Sequence, residues 1–249
     1  MKASADVLYL GDTSLDTAAS YLGLVMNHFG IRFEYVPSHE RADRALQAAE
    51  RRLIILSDYP ADNLDADGME AIAGQVRAGT GLLMIGGWDS FQGSGGLYSG
   101  TLIEQILPVH IGPGDDRVNY SFPCLACKRA DHPILADLPF DEPPCIGGYN
   151  RVTAKPGAEV LLEAVRYRTR AEGGACGFTE VGRDVLLTVG GYGGGATAAF
   201  CSDAAPHWVG GFVDWGEGRL AGEISGIRVE VGELYARFFN NLIRWSARL

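Results

Sequence analysis

No apolar run in this sequence approaches the roughly 18 residues that a bilayer-spanning helix needs, so a membrane is not an expected partner. Positive charge is scarce too. Lys and Arg number 21 against 31 Asp and Glu, for a formal net charge of -10. The pairs Arg51-Arg52 and Lys128-Arg129 stand alone. An acidic surface without a basic patch repels a phosphate backbone, and nucleic acid is not expected as a partner either. The cysteines are few and odd in number, five in 249 residues, which does not suit a disulfide framework. The opening stretch Met1-Lys2-Ala3-Ser4-Ala5-Asp6 has no leader pattern and runs straight into an apolar segment. A soluble protein of a reducing cytoplasm is the expectation. Two nucleotide signatures are missing as well: no G-x-G-x-x-G follows the first apolar run, and there is no Walker-type loop.

What is present is a core-forming composition, 47% apolar and 21% charged, with a regular alternation of patterns. Short continuous apolar runs at 7–10, 53–56 and 82–85 predict strands buried on both faces, and 32–36 alternates as a strand. Between them, 17–29, 40–51 and 67–78 have helical spacing; Ala18, Tyr21, Leu22, Val25 and Phe29 make one stripe, closed by Gly30. This β-α-β-α-β-α-β order predicts an α/β protein with a mainly parallel sheet and helices on both faces. Residues 93–150 are rich in Gly and Pro and read as a loop-rich insertion over the sheet edge, with a short helix at 101–106. Further strands are expected at 160–162 and 175–181. A hairpin of 185–189 with 196–201 turns on the glycines 190–195, and a helix over 231–247 closes the chain.

Four acids, Asp12, Asp58, Asp89 and Asp203, each fall at or just past the C-terminal end of an apolar strand. Ligands bind at that edge of open α/β sheets. Carboxylates crowded there raise one another's pKa, or recruit a metal or a cationic group. For any one of them, a turn or helix N-cap is the commoner role. His207, in the loop 202–208, is a candidate general acid or base, or packs against Trp208. Gly86-Gly87-Trp88-Asp89-Ser90 permits a sharp strand-to-helix turn, but its apex carries no nucleophilic atom, and nothing in the sequence pairs Ser90 with a base. Cys124 and Cys127, with His132 and Cys145 downstream, lack a second tight pair, and buried thiols are the expected reading. No metal ligands are assigned, and no cofactor is identified.

Several segments in order resemble the class I glutamine amidotransferases. Strand 82–85 with its double glycine sits at the place of the nucleophile elbow. Ala130-Asp131-His132-Pro133-Ile134 is similar to a segment of the trehalose-utilisation group. The run 191–195, then 198–203, then Pro206-His207-Trp208, resembles the "putative glutamine amidotransferase" group, as does the final helix with Tyr235, Phe238, Phe239, Asn241 and Trp245. The resemblance implies one domain over 1–249 with a flavodoxin-like three-layer sandwich and an antiparallel hairpin extension. It also implies a G-x-C-x-G elbow, where this chain has Trp88 in the cysteine slot, and a His-x-Glu, where His207 is followed by Trp208 and Val209. An indole cannot replace a thiolate, so thiol-route glutamine hydrolysis is not expected. The expectation is acid/base or metal-assisted chemistry on a small polar or sugar-like ligand. His207, Asp203 and Asp89 would be catalytic, and Asp12, Asp58, Gly86, Gly87, Trp88 and Trp208 would contact the ligand. The alternative is a catalytically idle ligand-binding or homo-oligomeric scaffold.

Overall fold

The computed structural model describes residues 5–48 and 51–249. The leading Met1–Ser4 and the end of the expected second helix, Ala49 and Glu50, lie outside the described residues. The first half alternates as the hydrophobic pattern dictates: β1 (Val7–Gly11), α1 (Ser20–His28), β2 (Phe33–Val36), α2 (Asp43–Ala48), β3 (Leu53–Ser57), α3 (Ala66–Ala78) and β4 (Gly81–Ile85). Every residue of β1, β3 and β4 is buried, as a parallel strand covered on both faces requires. Helix boundaries follow local chemistry. The Asp65 carboxylate accepts the Gly68 N–H at the start of α3, and Gly79 (φ +130°) ends it.

The middle of the chain holds α4 (Leu102–Ile106), β5 (Val109–His110), β6 (Arg117–Asn119), β7 (Cys124–Lys128), β8 (Gly148–Asn150) and β9 (Thr153–Ala154). Then come β10 (Glu159–Glu172), β11 (Ala175–Tyr192), β12 (Gly195–Phe200), α5 (Pro206–Val213), β13 (Arg219–Ile224), β14 (Ile227–Gly232) and α6 (Glu233–Ala247). The main sheet has eight strands in the order β2-β1-β3-β4-β12-β11-β10-β7. The first five are mutually parallel, and β11, β10 and β7 continue antiparallel. The order reverses direction between β1 and β3, the switch point at which open α/β sheets leave a crevice. Helices α1 and α6 pack against each other, and α6 lies over β3, β4 and β12; α3 contacts α2, α4 and β12. The aromatic heart of the α6 layer is Phe200, whose ring centroid lies 5.3 Å from Phe238, 5.6 Å from Phe239 and 6.1 Å from Phe212.

Three features depart from the sequence pattern. The segments 175–181 and 185–189 are one 18-residue strand, β11, which pairs with β10 along the whole of that 14-residue strand. The 93–150 segment is not confined to an edge cover, because β7 enters the main sheet beside β10, with Cys124 and Ala126 facing in. Residues 206–213 are helical and 219–232 form a two-stranded hairpin against α1. No helix of the described residues is long and apolar enough to cross a membrane.

Gly11 closes β1 with φ +122°, and a Cβ there would lie 1.6 Å from the Ser57 carbonyl oxygen. Backbone cannot yield by that much, so Gly11→Ala is expected to lower Tm by more than about 10 °C or to abolish folding. Gly74, inside α3 with open space at its Cβ position, behaves oppositely. Gly74→Ala should add about 0.5–1 kcal/mol, a rise of roughly 2 °C in a thermal melt.

Candidate functional site

Three of the four strand-end acids meet. Asp12 leaves β1, Asp58 leaves β3 and Asp203 follows β12. One carboxylate oxygen from each lies within 4.8 Å of the others. The backbone at Asp12 (φ +52°) and Asp58 (φ +43°) is left-handed, a conformation that Asp tolerates better than most residues, and it turns each side chain across the strand end. Ser38 ties the two turns together: its Oγ accepts the Thr13 N–H at 2.8 Å and donates to the Asp58 carbonyl at 2.6 Å. Asp12 and Asp203 are almost fully buried, while Asp58 is partly open to solvent.

Burial dominates the electrostatics. It raises the Asp12 carboxyl, against the pull of a 2.6 Å hydrogen bond donated by Tyr9 Oη. Burial, then the neighbouring Asp12 charge, pushes Asp58 up to about 8. Asp203 is raised strongly by burial and by the charges of Asp12 and Asp58, although its Oδ1 accepts the Ala205 N–H at 2.9 Å. The charges acting on Asp58 and Asp203 are therefore those of other acids.

The elbow after β4 is built around Asp58. Gly87 (φ +157°) has no room for a Cβ, which would stand 2.1 Å from Asp58 Oδ1. The Asp89 N–H donates to that oxygen at 2.7 Å. Asp89 follows the slot held by Trp88, and the N–H at this position serves an oxyanion in nucleophile-elbow enzymes. Here a carboxylate of the protein itself occupies it. Ser90 is buried, and its Oγ accepts the Asp58 N–H at 2.9 Å, which commits it to the turn.

Asn150 and Asp116 complete the elbow, and sequence reading missed both. Asn150 Oδ1 accepts the Gly87 N–H at 2.9 Å, and its Nδ2 donates to the Gly87 carbonyl at 3.1 Å and to Asp116 Oδ1 at 2.7 Å. Asp116 also accepts the N–H groups of Gln92 and Gly93. No spacing could have shown this, since Asn150 is 63 residues from Gly87.

Trp88, 45% exposed, forms the rim. The Arg117 guanidinium lies over its ring at 4.6 Å, and His207 meets it edge-on with centroids 5.3 Å apart. His207 is exposed in the first turn of α5. Asp89 is half-buried, raised by burial and lowered in part by Arg117. Trp208, expected among the ligand contacts, is buried; its Nε1 donates to Asn119 Oδ1 at 2.9 Å and its ring covers Gly148. Its polar atom is thus already used inside the protein.

The sulfurs do not supply the missing nucleophile. The Cys201 backbone abuts Gly86, yet its thiol is fully buried and held well above the usual range by burial and by Asp116. Cys124 is buried and raised to about 12, and it sits three residues from Cys127 in β7, a spacing that directs the two side chains to opposite faces. His132 Nδ1 accepts the Ile134 N–H at 3.2 Å as the cap of a short turn.

Residues 9–224 match a family described as "Putative glutamine amidotransferase". Among solved structures, Cytoplasmic Protein STM1381 from Salmonella typhimurium LT2 is 26% identical with a TM-score of 0.72, over 96% of this chain and 98% of that one. Cytoplasmic Protein STM3548 from Salmonella typhimurium is 24% identical with a TM-score of 0.72, over 97% and 98%. A "putative gmp synthase subunit a protein" from Thermoplasma acidophilum is 11% identical with a TM-score of 0.50, over 99% and 96%. The last two likenesses show the fold alone. No curated protein matches the chain.

The raised carboxyls set a pH dependence of stability. Between the ordinary value near 3.8 and about 8, folded Asp58 keeps a proton that the unfolded chain has released. The folded state binds more protons there, so stability falls as pH rises through that window. Asp12 and Asp203 in the cluster, Asp89 across the elbow, and Asp116 act in the same direction. In chelator-containing buffer, Tm should decline steadily from pH 5 to pH 8, with a shallower slope in Asp58→Asn. A flat or rising profile would contradict the burial of the cluster.

Thiol labelling checks the sulfur assignment. Native protein treated briefly with iodoacetamide should be modified at exposed Cys145 and Cys176 and spared at Cys124 and Cys201, read by peptide mass spectrometry. Fast modification of Cys201 would reopen the thiol route.

Proposed function

Because the chain belongs to the "putative glutamine amidotransferase" family but has an indole where thiol chemistry needs a nucleophile, we propose that it is a non-thiol enzyme acting on a small polar or sugar-like ligand at the carboxyl edge of its parallel sheet. The observation that carries this reading is the meeting of Asp12, Asp58 and Asp203 beneath the elbow, with Asp58 holding the backbone N–H of Asp89. A site closed to an oxyanion and floored with carboxyl groups suits hydroxyl and amine groups better than a tetrahedral acyl intermediate. In this reading Trp88 is a platform for the apolar face of the ligand, beside the Arg117 cation. His207, which meets that ring edge-on, and Asp89, which is next to Trp88 in the chain, are the proton-transfer groups. Asp58, the member of the cluster that reaches solvent, takes the first ligand hydroxyl. The two Salmonella relatives are named cytoplasmic proteins, and we place this chain in the same compartment.

A second reading draws on the ribbon of β10 and β11 beyond the sheet, where Phe178 is 61% and Val181 43% exposed. Exposed apolar side chains on such an arm suit an oligomeric scaffold with an idle site.

Ligand-observed NMR against a panel of monosaccharides, polyols and small amides separates the two. The enzyme reading expects saturable binding of at least one polyol or sugar, weakened at least about tenfold in Trp88→Ala. Glutamine should release no ammonia, and a diazo-ketone analogue of glutamine should leave every cysteine unmodified. Absence of any binding, together with a stable oligomer dispersed by Phe178→Ser, would favour the scaffold. A cysteine adduct would overturn the non-thiol premise.

A further inference from the structure

The cluster beneath the elbow has more oxygen than the protein uses. Asp12 Oδ1 is buried and has no hydrogen-bond partner. Ser57, the last residue of β3, is fully buried, and its hydroxyl lies close enough to Asp12 to stabilise the carboxylate. The two groups do not reach full hydrogen-bond geometry, and Ser57 Oγ has no other partner. Buried polar atoms left unpaired are uncommon in a folded protein, and two side by side call for a common explanation. Asp203 Oδ1 accepts the Ala205 N–H and Asp58 Oδ1 accepts the Asp89 N–H, with the Ala204 and Trp88 N–H groups acting on the same two carboxylates, and each acid still presents one oxygen within 4.8 Å of the others.

We propose that Asp12, Asp58 and Asp203, with the Ser57 hydroxyl, bind one divalent hard cation of the magnesium, manganese or calcium class. Three points lead to this. The ligand atoms are all oxygen, the set such ions take in preference to zinc or copper. Two ligands of one ion are separated by no more than twice the metal–oxygen distance, about 4.8 Å for calcium, and one oxygen from each carboxylate lies within 4.8 Å of the others; magnesium would need them drawn in to about 4.2 Å. A double positive charge would also offset a cluster that, among the described residues, faces other acids, a phenol, the Ser57 hydroxyl and backbone N–H groups. The ion would enter beside Asp58, the residue of the three that is not fully buried, and water would fill its remaining positions. The site coincides with that of the function proposed above, but its test reads cation binding alone, so either can fail without the other.

The test titrates manganese into chelator-stripped full-length protein and follows loss of the free-ion electron paramagnetic resonance signal, with magnesium and calcium as competitors. The expected result is about one ion per chain with a dissociation constant below about 1 mM, displaced by at least one competitor. Asp12→Asn and Asp203→Asn should each weaken binding at least about tenfold, and Ser57→Ala should weaken it several-fold. Asp141→Asn, at an exposed acid outside the cluster, should bind like the parent. The carboxamide variants should keep a cooperative melt close to that of the parent in chelator, since asparagine has the shape of a protonated aspartate; lost binding then cannot be blamed on lost fold. If one of them does not fold, Ser57→Ala decides the matter alone. Absence of saturable binding up to about 10 mM, or equal affinity in parent and cluster variants, would overturn the proposal.

Discussion

The Asp58 carboxylate occupies the space in which Gly87 would carry a side chain, and the site is organised by that intrusion. It requires glycine at the elbow, because a Cβ would overlap the acid. It takes the Asp89 N–H, so the donor that an elbow enzyme would aim at an oxyanion is already committed. It brings a third carboxyl up to the two that are buried behind it, and so decides the electrostatics of the whole edge. A nucleophile at position 88 would stand over an acid instead of an empty hole.

The fold makes the meeting of acids unavoidable once they stand at strand ends. With strands ordered β2-β1-β3-β4-β12, β1 and β3 are neighbours, β4 supplies the elbow and β12 lies on its far side. Four consecutive parallel strands span only about 15 Å at their edge, so side chains from β1, β3 and β12 can touch when they lean inward. Left-handed backbone at Asp12 and Asp58 supplies that lean, at a cost of order 1–3 kcal/mol each. The surrounding bonds hold it in place. Tyr35 Oη donates to the Gly11 carbonyl at 2.7 Å, the Asp12 N–H donates to the Ser57 carbonyl at 2.7 Å, and Ser38 bridges the two turns.

Much of this was legible in one dimension, and the rest fails for identifiable reasons. Buried parallel strands announce themselves as short apolar runs, and the position of an acid at the end of such a run is fixed by the sheet alone; Asp12, Asp58, Asp89 and Asp203 follow from that. The elbow is read from Gly86-Gly87, and the indole at its apex from Trp88. Asn150, Asp116 and Arg117 reach the elbow from β6, β8 and the loop before them, and their pairing depends on how a Gly- and Pro-rich segment folds back. Ser57 looks like an ordinary strand residue until its hydroxyl is found without a partner. The long ribbon escaped because arginines at 166, 168, 170 and 183 interrupt the apolar alternation in a pair of strands whose outer parts are largely exposed. Trp208 was misassigned because an aromatic beside His207 has the same composition signal whether it faces a ligand or the core.

Hydrogen bonding alone does not explain why these three positions are acids. Asp58 accepts the Asp89 N–H with the Trp88 N–H beside it, Asp203 accepts the Ala205 N–H with the Ala204 N–H beside it, and an asparagine oxygen could take such bonds without a charge. Asp12 accepts the Tyr9 hydroxyl, which an amide oxygen would also serve. Asparagine at these sites would further spare the protein the burial of adjacent ionisable groups, a desolvation of several kcal/mol for each ion that is charged. What a carboxylate has and an amide lacks is a second acceptor oxygen and a negative charge. A costly arrangement kept where a cheaper one would satisfy the same local bonds is the pattern expected of a working site, since stability gives way there and not in idle loops.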